Sequence, residues 1–250
     1  MSKCFLSGFG RCDGKITGEH YISRTLLEAI SNNGTVQIGG LPWQESGILE
    51  KRGIGALVSN VLCESHNSGL SDLDSAAGKL FRDLNTADKD WGKLPTETDY
   101  DGALVERWFL KVMCGLGAGP KLNDGLVPNE WKRALVENEW STGWGLYLPM
   151  PQGGQTLATE FAVETLVREG TKKVCAAKFR VAGVHFNLLL GKPDNPASWG
   201  IYHGRGIIFR CNGDEKRVGL RWPNGNDGAV IYTKIGSTSE RPRQWRDWRE

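Results

Sequence analysis

No apolar run in the 250-residue sequence approaches the length of a membrane span. The opening stretch, Met1-Ser2-Lys3-Cys4-Phe5-Leu6, reaches polar and glycine residues too soon to give a signal peptide its apolar centre. Both absences argue against a membrane role and predict a cytoplasmic protein. Net charge is lacking too: 31 basic and 29 acidic residues leave +2, so only a local basic surface could supply the phosphate-binding term for a nucleic-acid partner. There is no internal repeat, and 39% hydrophobic with 24% charged residues excludes wholesale disorder. Six cysteines in a cytosolic setting read as free thiols or metal ligands rather than a disulfide framework. Of these, Cys114, Cys175 and Cys211 lie in apolar or strand-like surroundings and read as packing residues.

What the chain does have is glycine, at 33 residues, and tryptophan, at 10, which favour tight turns and aromatic-anchored β structure over a helical bundle. Turn chemistry at Gly8 to Lys15 precedes a short strand over 16–22, and 24–31 reads as a short helix. Residues 35–62 are irregular, with β-prone pieces near 36–38 and 55–58. From Glu64 a helix is predicted, with Leu70, Leu73, Ala77, Leu80, Phe81 and Leu84 near one face. The polar stretch 88–100 reads as a boundary. A mostly buried helix follows over 101–115, closed by the run Gly115 to Pro120, and a shorter one over 129–138. Seven strand-length pieces then recur between Gly143 and Lys234, punctuated by Gly-Gly, Asp-Asn-Pro and Asn-Gly turns, which predicts an antiparallel sheet.

Three short segments carry chemistry. Glu19 and His20 set a carboxylate beside an imidazole at a strand end: the first suits a divalent ion, the second takes a proton from water near neutral pH. Asn67 opens a helix, where its amide oxygen is either a hard metal ligand or a bond to the backbone. Cys63 and His66 form a Cys-x-x-His pair, a sound half of a tetrahedral zinc site. The tail Arg241-Pro242-Arg243-Gln244-Trp245-Arg246-Asp247-Trp248-Arg249-Glu250 interleaves arginine with tryptophan, as nucleic-acid binding would require, although terminal tails are more often solvated. His185 reads as core or sheet surface. His203 could line a groove, and neither has a partner at metal-ligand spacing.

Taken together, Cys4-Phe5-Leu6-Ser7-Gly8, Gly18-Glu19-His20-Tyr21-Ile22-Ser23 and Val61-Leu62-Cys63-Glu64-Ser65-His66-Asn67 resemble the HNH endonuclease family, of phage and bacterial type, over about residues 4–85. The ββα-metal motif of that family grips one divalent ion between a hairpin and a helix. The resemblance implies that Glu19 and Asn67 ligate Mg²⁺ or Mn²⁺ and that His20 is the general base. Ser7 stands where the family has a second cysteine, His66 where it has the fourth, and Ser23 where it has proline. Either Cys12 swings across to complete a Cys4, Cys12, Cys63 and His66 zinc site, or the structural metal has been lost; the serine tips the reading towards loss. Asn60 has no secure place in the family's pattern.

The sequence therefore predicts an α+β protein in three parts: an N-terminal ββα-metal (HNH-like) module over 1–88, a helical connector over 89–140 and a β-rich C-terminal domain over 141–250. The implied activity is metal-dependent hydrolysis of phosphodiester bonds, with DNA as partner and no membrane. The alternatives are an HNH-derived module that binds nucleic acid or protein without chemistry, or a structural component of a phage or mobile element.

Overall fold

The computed structural model describes residues 4–13, 15–45, 47–118, 126–150, 160–168, 173–191, 195–211, 213–223 and 229–234. The aromatic-basic tail, the glycine run beyond Ala118 and several of the expected turns lie outside them.

In the N-terminal third, β1 (Ile16–His20) pairs antiparallel with β4 (Val58–Cys63). Between them come α1 (Arg24–Ile30) and the hairpin of β2 (Thr35–Gly39) and β3 (Leu49–Gly53). The helix expected from Glu64 is broken in two, α2 (Glu64–Gly69) and α3 (Ser71–Lys89), because Leu70 leaves helical geometry at ψ 4° and Ser71 bonds back to the Ser68 carbonyl. The apolar face of α3 is as its spacing predicts, with Leu73, Ala77, Leu80, Phe81 and Leu84 all buried. Asp72 and Asp74 sit in its first turn, where the helix dipole favours negative charge.

The stretch 88–100, read as a boundary, contains β5 (Glu97–Asp101). Asp101 then caps α4 (Gly102–Gly117) by accepting a hydrogen bond from the Leu104 amide. Helix α4 is buried on nearly every side, including Glu106 and Lys111. Helix α5 (Asn129–Glu137) follows, and then β6 (Gly145–Leu148), β7 (Glu160–Val167), β8 (Val174–Val181), β9 (Val184–Leu189), β10 (Ile201–Tyr202), β11 (Gly206–Cys211), β12 (Asp214–Arg221) and β13 (Val230–Lys234).

These strands form two larger sheets, in the orders β10-β6-β9-β8-β7-β2-β3 and β13-β11-β12-β5. The antiparallel arrangement expected of the C-terminal strands holds from β6 to β9 and between β11 and β12, but β13 lies parallel to β11. Strands β2 and β5, from earlier in the chain, also join in parallel, to β7 and β12. Sheets thus draw strands from both sides of residues 88 and 140, and among the described residues the larger of two hydrophobic clusters runs from Cys4 to Ile231. Its centre is aromatic: Phe81 of α3 and Trp108 and Phe109 of α4 meet Phe186 of β9 and Phe179 of β8, with neighbouring ring centroids 4.7–6.1 Å apart. Among the described residues no helix is long and apolar enough to cross a membrane.

One close approach places α4 against the end of β1. A Cβ on Gly115 would stand 2.8 Å from Tyr21 Cβ, so only glycine lets the helix lie this near. Lys111 is one turn earlier on the same face of α4 and is thereby aimed at β1.

Candidate functional site

The segment Cys4 to Phe9 folds as a knuckle, with the Ser7 amide bonded to the Cys4 carbonyl and the Phe9 amide to the Leu6 carbonyl; Gly8 takes the positive φ that closes it. The Phe5 amide donates to the Val61 carbonyl and so lays this knuckle beside β4. Asp13 Oδ2 accepts from the Ser65 amide, a cap delivered from a distant segment to a helix with no side-chain cap of its own. That bond draws the neighbouring Cys12 onto the start of α2.

The result is a four-donor cluster. The ligand atoms of Cys4, Cys12, Cys63 and His66 all lie within 4.8 Å of one another. His66 Nδ1 is 3.3 Å from Cys4 Sγ and 3.1 Å from Cys63 Sγ, and Cys12 Sγ is 3.5 Å from Cys63 Sγ. The other ring nitrogen of His66 faces the Phe9 carbonyl, which can only accept, so Nε2 carries the proton and Nδ1 turns its lone pair to the sulfurs. Burial raises the Cys63 thiol, but hydrogen bonds from the His66 amide, Cys12 and the Asp13 amide, with the His66 ring alongside, outweigh it and bring the pKa down to about 7. Burial pushes Cys4 up to about 11. These four residues could hold a metal ion. Of the two alternatives the sequence left open, Cys12 does cross to join the other three donors, carried by the Asp13 cap, a contact between segments 52 positions apart.

The second group is reached along β1. Thr17 and Glu19 are two residues apart on β1, with an irregularity in its pairing with β4 between them. Asn67 Nδ2 donates to Thr17 Oγ1 at 3.3 Å, which brings α2 alongside Thr17; among the described residues Oδ1 has no hydrogen-bond partner. Glu19 Oε1 accepts from Lys111 Nζ at 2.6 Å; among the described residues Oε2 has no hydrogen-bond partner, and it is not sealed from solvent. Glu19 and Asn67 are thus both reached from β1, each with one oxygen unbonded among the described residues, and no bond joins them. His20, the last residue of β1, has Nε2 buried and without a partner, whereas Nδ1 is not shut off. Asn60 faces the same side as Gly18, where its Oδ1 would lie 3.7 Å from a Cβ, and no hydrogen bond links it to His20.

Two further residues complete this group: Lys111, outside the span of the resemblance, and Asp74, inside that span but with no role assigned by it. The Lys111 ammonium is bonded to Glu19 and, at 2.6 Å, to Asp74 Oδ2, with its side chain 3% exposed. Asp74 Oδ1 is buried and unpartnered. The signal for Lys111 was in the sequence: a lysine inside Trp108-Phe109-Leu110-Lys111-Val112-Met113 must find a counter-charge if the helix is buried. Which carboxylates it finds depends on packing that no local pattern encodes.

His203 is likewise partnered. Its Nε2 donates at 2.9 Å to Glu106 Oε1, which also accepts from the Leu146 amide, and its ring is stacked between Tyr202 and Trp222 at centroid distances of 3.8 and 3.9 Å. The pair spans 97 positions and ties α4 to β6, far from sequence reach. Comparison with protein-family models, with curated proteins and with solved structures finds no match for this chain.

Proposed function

We propose that the chain is an endonuclease of the HNH type, hydrolysing phosphodiester bonds in DNA, and that Cys4, Cys12, Cys63 and His66 hold a structural zinc ion. The observation that supports this best is the meeting of those four donors at the junction of β4 and α2. It sets an antiparallel strand pair, β1 with β4, beside a helix, with α1, β2 and β3 inserted between the two strands. Zinc bonds of about 2.3 Å to sulfur and 2.0–2.1 Å to nitrogen place tetrahedral neighbours roughly 3.5–3.8 Å apart. Three of the donor separations are 3.1–3.5 Å, and all lie within 4.8 Å. Three thiolates and one imidazole close the coordination shell, as in structural rather than catalytic zinc sites.

The free oxygens of Glu19 and Asn67 are hard donors and fit a divalent ion of the magnesium class. Such an ion would supply positive charge to the phosphoryl group and the leaving oxygen. The protein's own part is carried by His20, whose open Nδ1 takes a proton from the attacking water. Glu19 is held in place by Lys111, and Asn67 by Thr17, so neither donor swings freely.

The test is cleavage of supercoiled, linear and single-stranded DNA in Mg²⁺ or Mn²⁺ by wild-type protein and His20→Ala, with the zinc content of both measured. The wild type should cut, the variant should lose at least a hundredfold, and both should carry about one zinc per chain. Equal activity in the two proteins would remove His20 from the mechanism. A second reading is favoured by the ammonium on Glu19: a module that keeps the shape and binds nucleic acid without turnover. Metal-independent binding with no cleavage of any substrate would select it.

A further inference from the structure

Lys111 comes from α4, outside the span that resembles the nuclease family, yet it is the most deeply placed charge of the centre. Its nitrogen lies 2.6 Å from an oxygen of Glu19 and 2.6 Å from an oxygen of Asp74. A point in contact with two carboxylates is where a cation is bound most firmly, and here the protein fills it with its own. We propose that Lys111 is the residue that sets how tightly the centre holds a divalent ion, acting as a resident cation between Glu19 and Asp74.

The charges give the direction. Two carboxylates and one ammonium leave a net charge of one negative unit on this group. Glu19 offers Oε2 to an incoming ion, while the ammonium on Oε1 both orients the carboxylate and repels that ion. Asp74 offsets the ammonium, so it is a positioning residue acting through Lys111. Asp74 Oδ2, which the ammonium occupies, becomes free to ligate once the ammonium is gone, with the unpartnered Oδ1 on the same carboxylate. Lys111→Met, close in shape but uncharged, turns the pair into two converging carboxylates with no internal cation and should tighten divalent binding. Asp74→Asn leaves the ammonium uncancelled beside Glu19 and should weaken it. Damage to the fold alone does not produce opposite signs.

The inference rests on Glu19 being the metal-side carboxylate of the proposed nuclease, but not on catalysis. Mn²⁺ is therefore titrated into zinc-loaded protein without nucleic acid, and free Mn²⁺ is read by electron paramagnetic resonance. Lys111→Met should bind at least tenfold more tightly than wild type, Asp74→Asn at least tenfold more weakly, and adding Glu19→Gln to Lys111→Met should abolish the gain. Unchanged or weaker binding in folded Lys111→Met overturns the proposal. If circular dichroism shows that variant unfolded, Asp74→Asn decides: binding equal to or tighter than wild type overturns it. A Glu19-dependent Mn²⁺ site in Lys111→Met, in a protein that never cuts DNA, supports the resident cation while the nuclease reading fails.

Discussion

His185 shows how far a single residue's fate follows from its neighbours. It lies on β9 opposite Arg180 of β8, and burial, followed by the arginine charge, lowers its pKa to about 3. The folded state thus holds this imidazole neutral while the unfolded chain protonates it near 6.5. Stability from this group is complete above about pH 6.5 and is lost as the pH falls towards 3. Between pH 7 and 5 that amounts to about 2 kcal/mol, at 1.36 kcal/mol per pKa unit. Urea unfolding at the two pH values should show the wild type losing about that much more stability than His185→Gln. Equal losses would mean that the histidine is protonated inside the fold. Its place in a sheet was legible from Val184-His185-Phe186; its cost on acidification was not, because it depends on how deeply the fold buries the ring and then on the cross-strand arginine.

At the scale of elements, periodicity found α1, α3, α4, α5 and most strands, because each has a local apolar pattern. Pairing was hidden. The polar run Thr96-Glu97-Thr98-Asp99 was read as a boundary, yet β5 docks at the edge of a sheet, where Glu97 and Asp99 bind Arg217 and Arg221 of β12. An edge strand facing water needs little apolar sequence. The approach of α4 to β1 was equally silent, since it depends on the missing side chain of Gly115. Gly115→Val places new atoms where Tyr21 Cβ already lies, so it should destabilise by about 1–3 kcal/mol despite leaving the helix pattern intact. Gly69→Ala is the control: a Cβ there meets nothing within 4 Å, and stability should be unchanged or raised by about 0.4–1 kcal/mol. Denaturant midpoints of the two variants measure this, and similar midpoints would show that α4 can back away from Tyr21 at little cost.

At the scale of the whole molecule, the resemblance covers about the first third of the chain, and its ligand spacings nominate Cys4, Cys63 and His66; Cys12, which stands off that spacing, was one of two alternatives, and only the fold brings it to the other three. The remainder does not behave as an appendage to that third. Removing residues 89–250 would strip β7 from β2, take Trp108, Phe109 and Phe186 from Phe81, and leave Glu19 and Asp74 without Lys111. Uncovering the apolar face of α3 removes the burial that holds a helix together in water, and two carboxylates without their cation repel each other. Zinc at the four-donor cluster would tie the knuckle to α2 but would not replace either loss. A fragment of residues 1–88, loaded with zinc, should therefore show no cooperative thermal transition, whereas the full chain should melt as one unit under calorimetry. A sharp transition in the fragment would establish an independent ββα domain, and the shared core would then be an interface rather than a condition of folding.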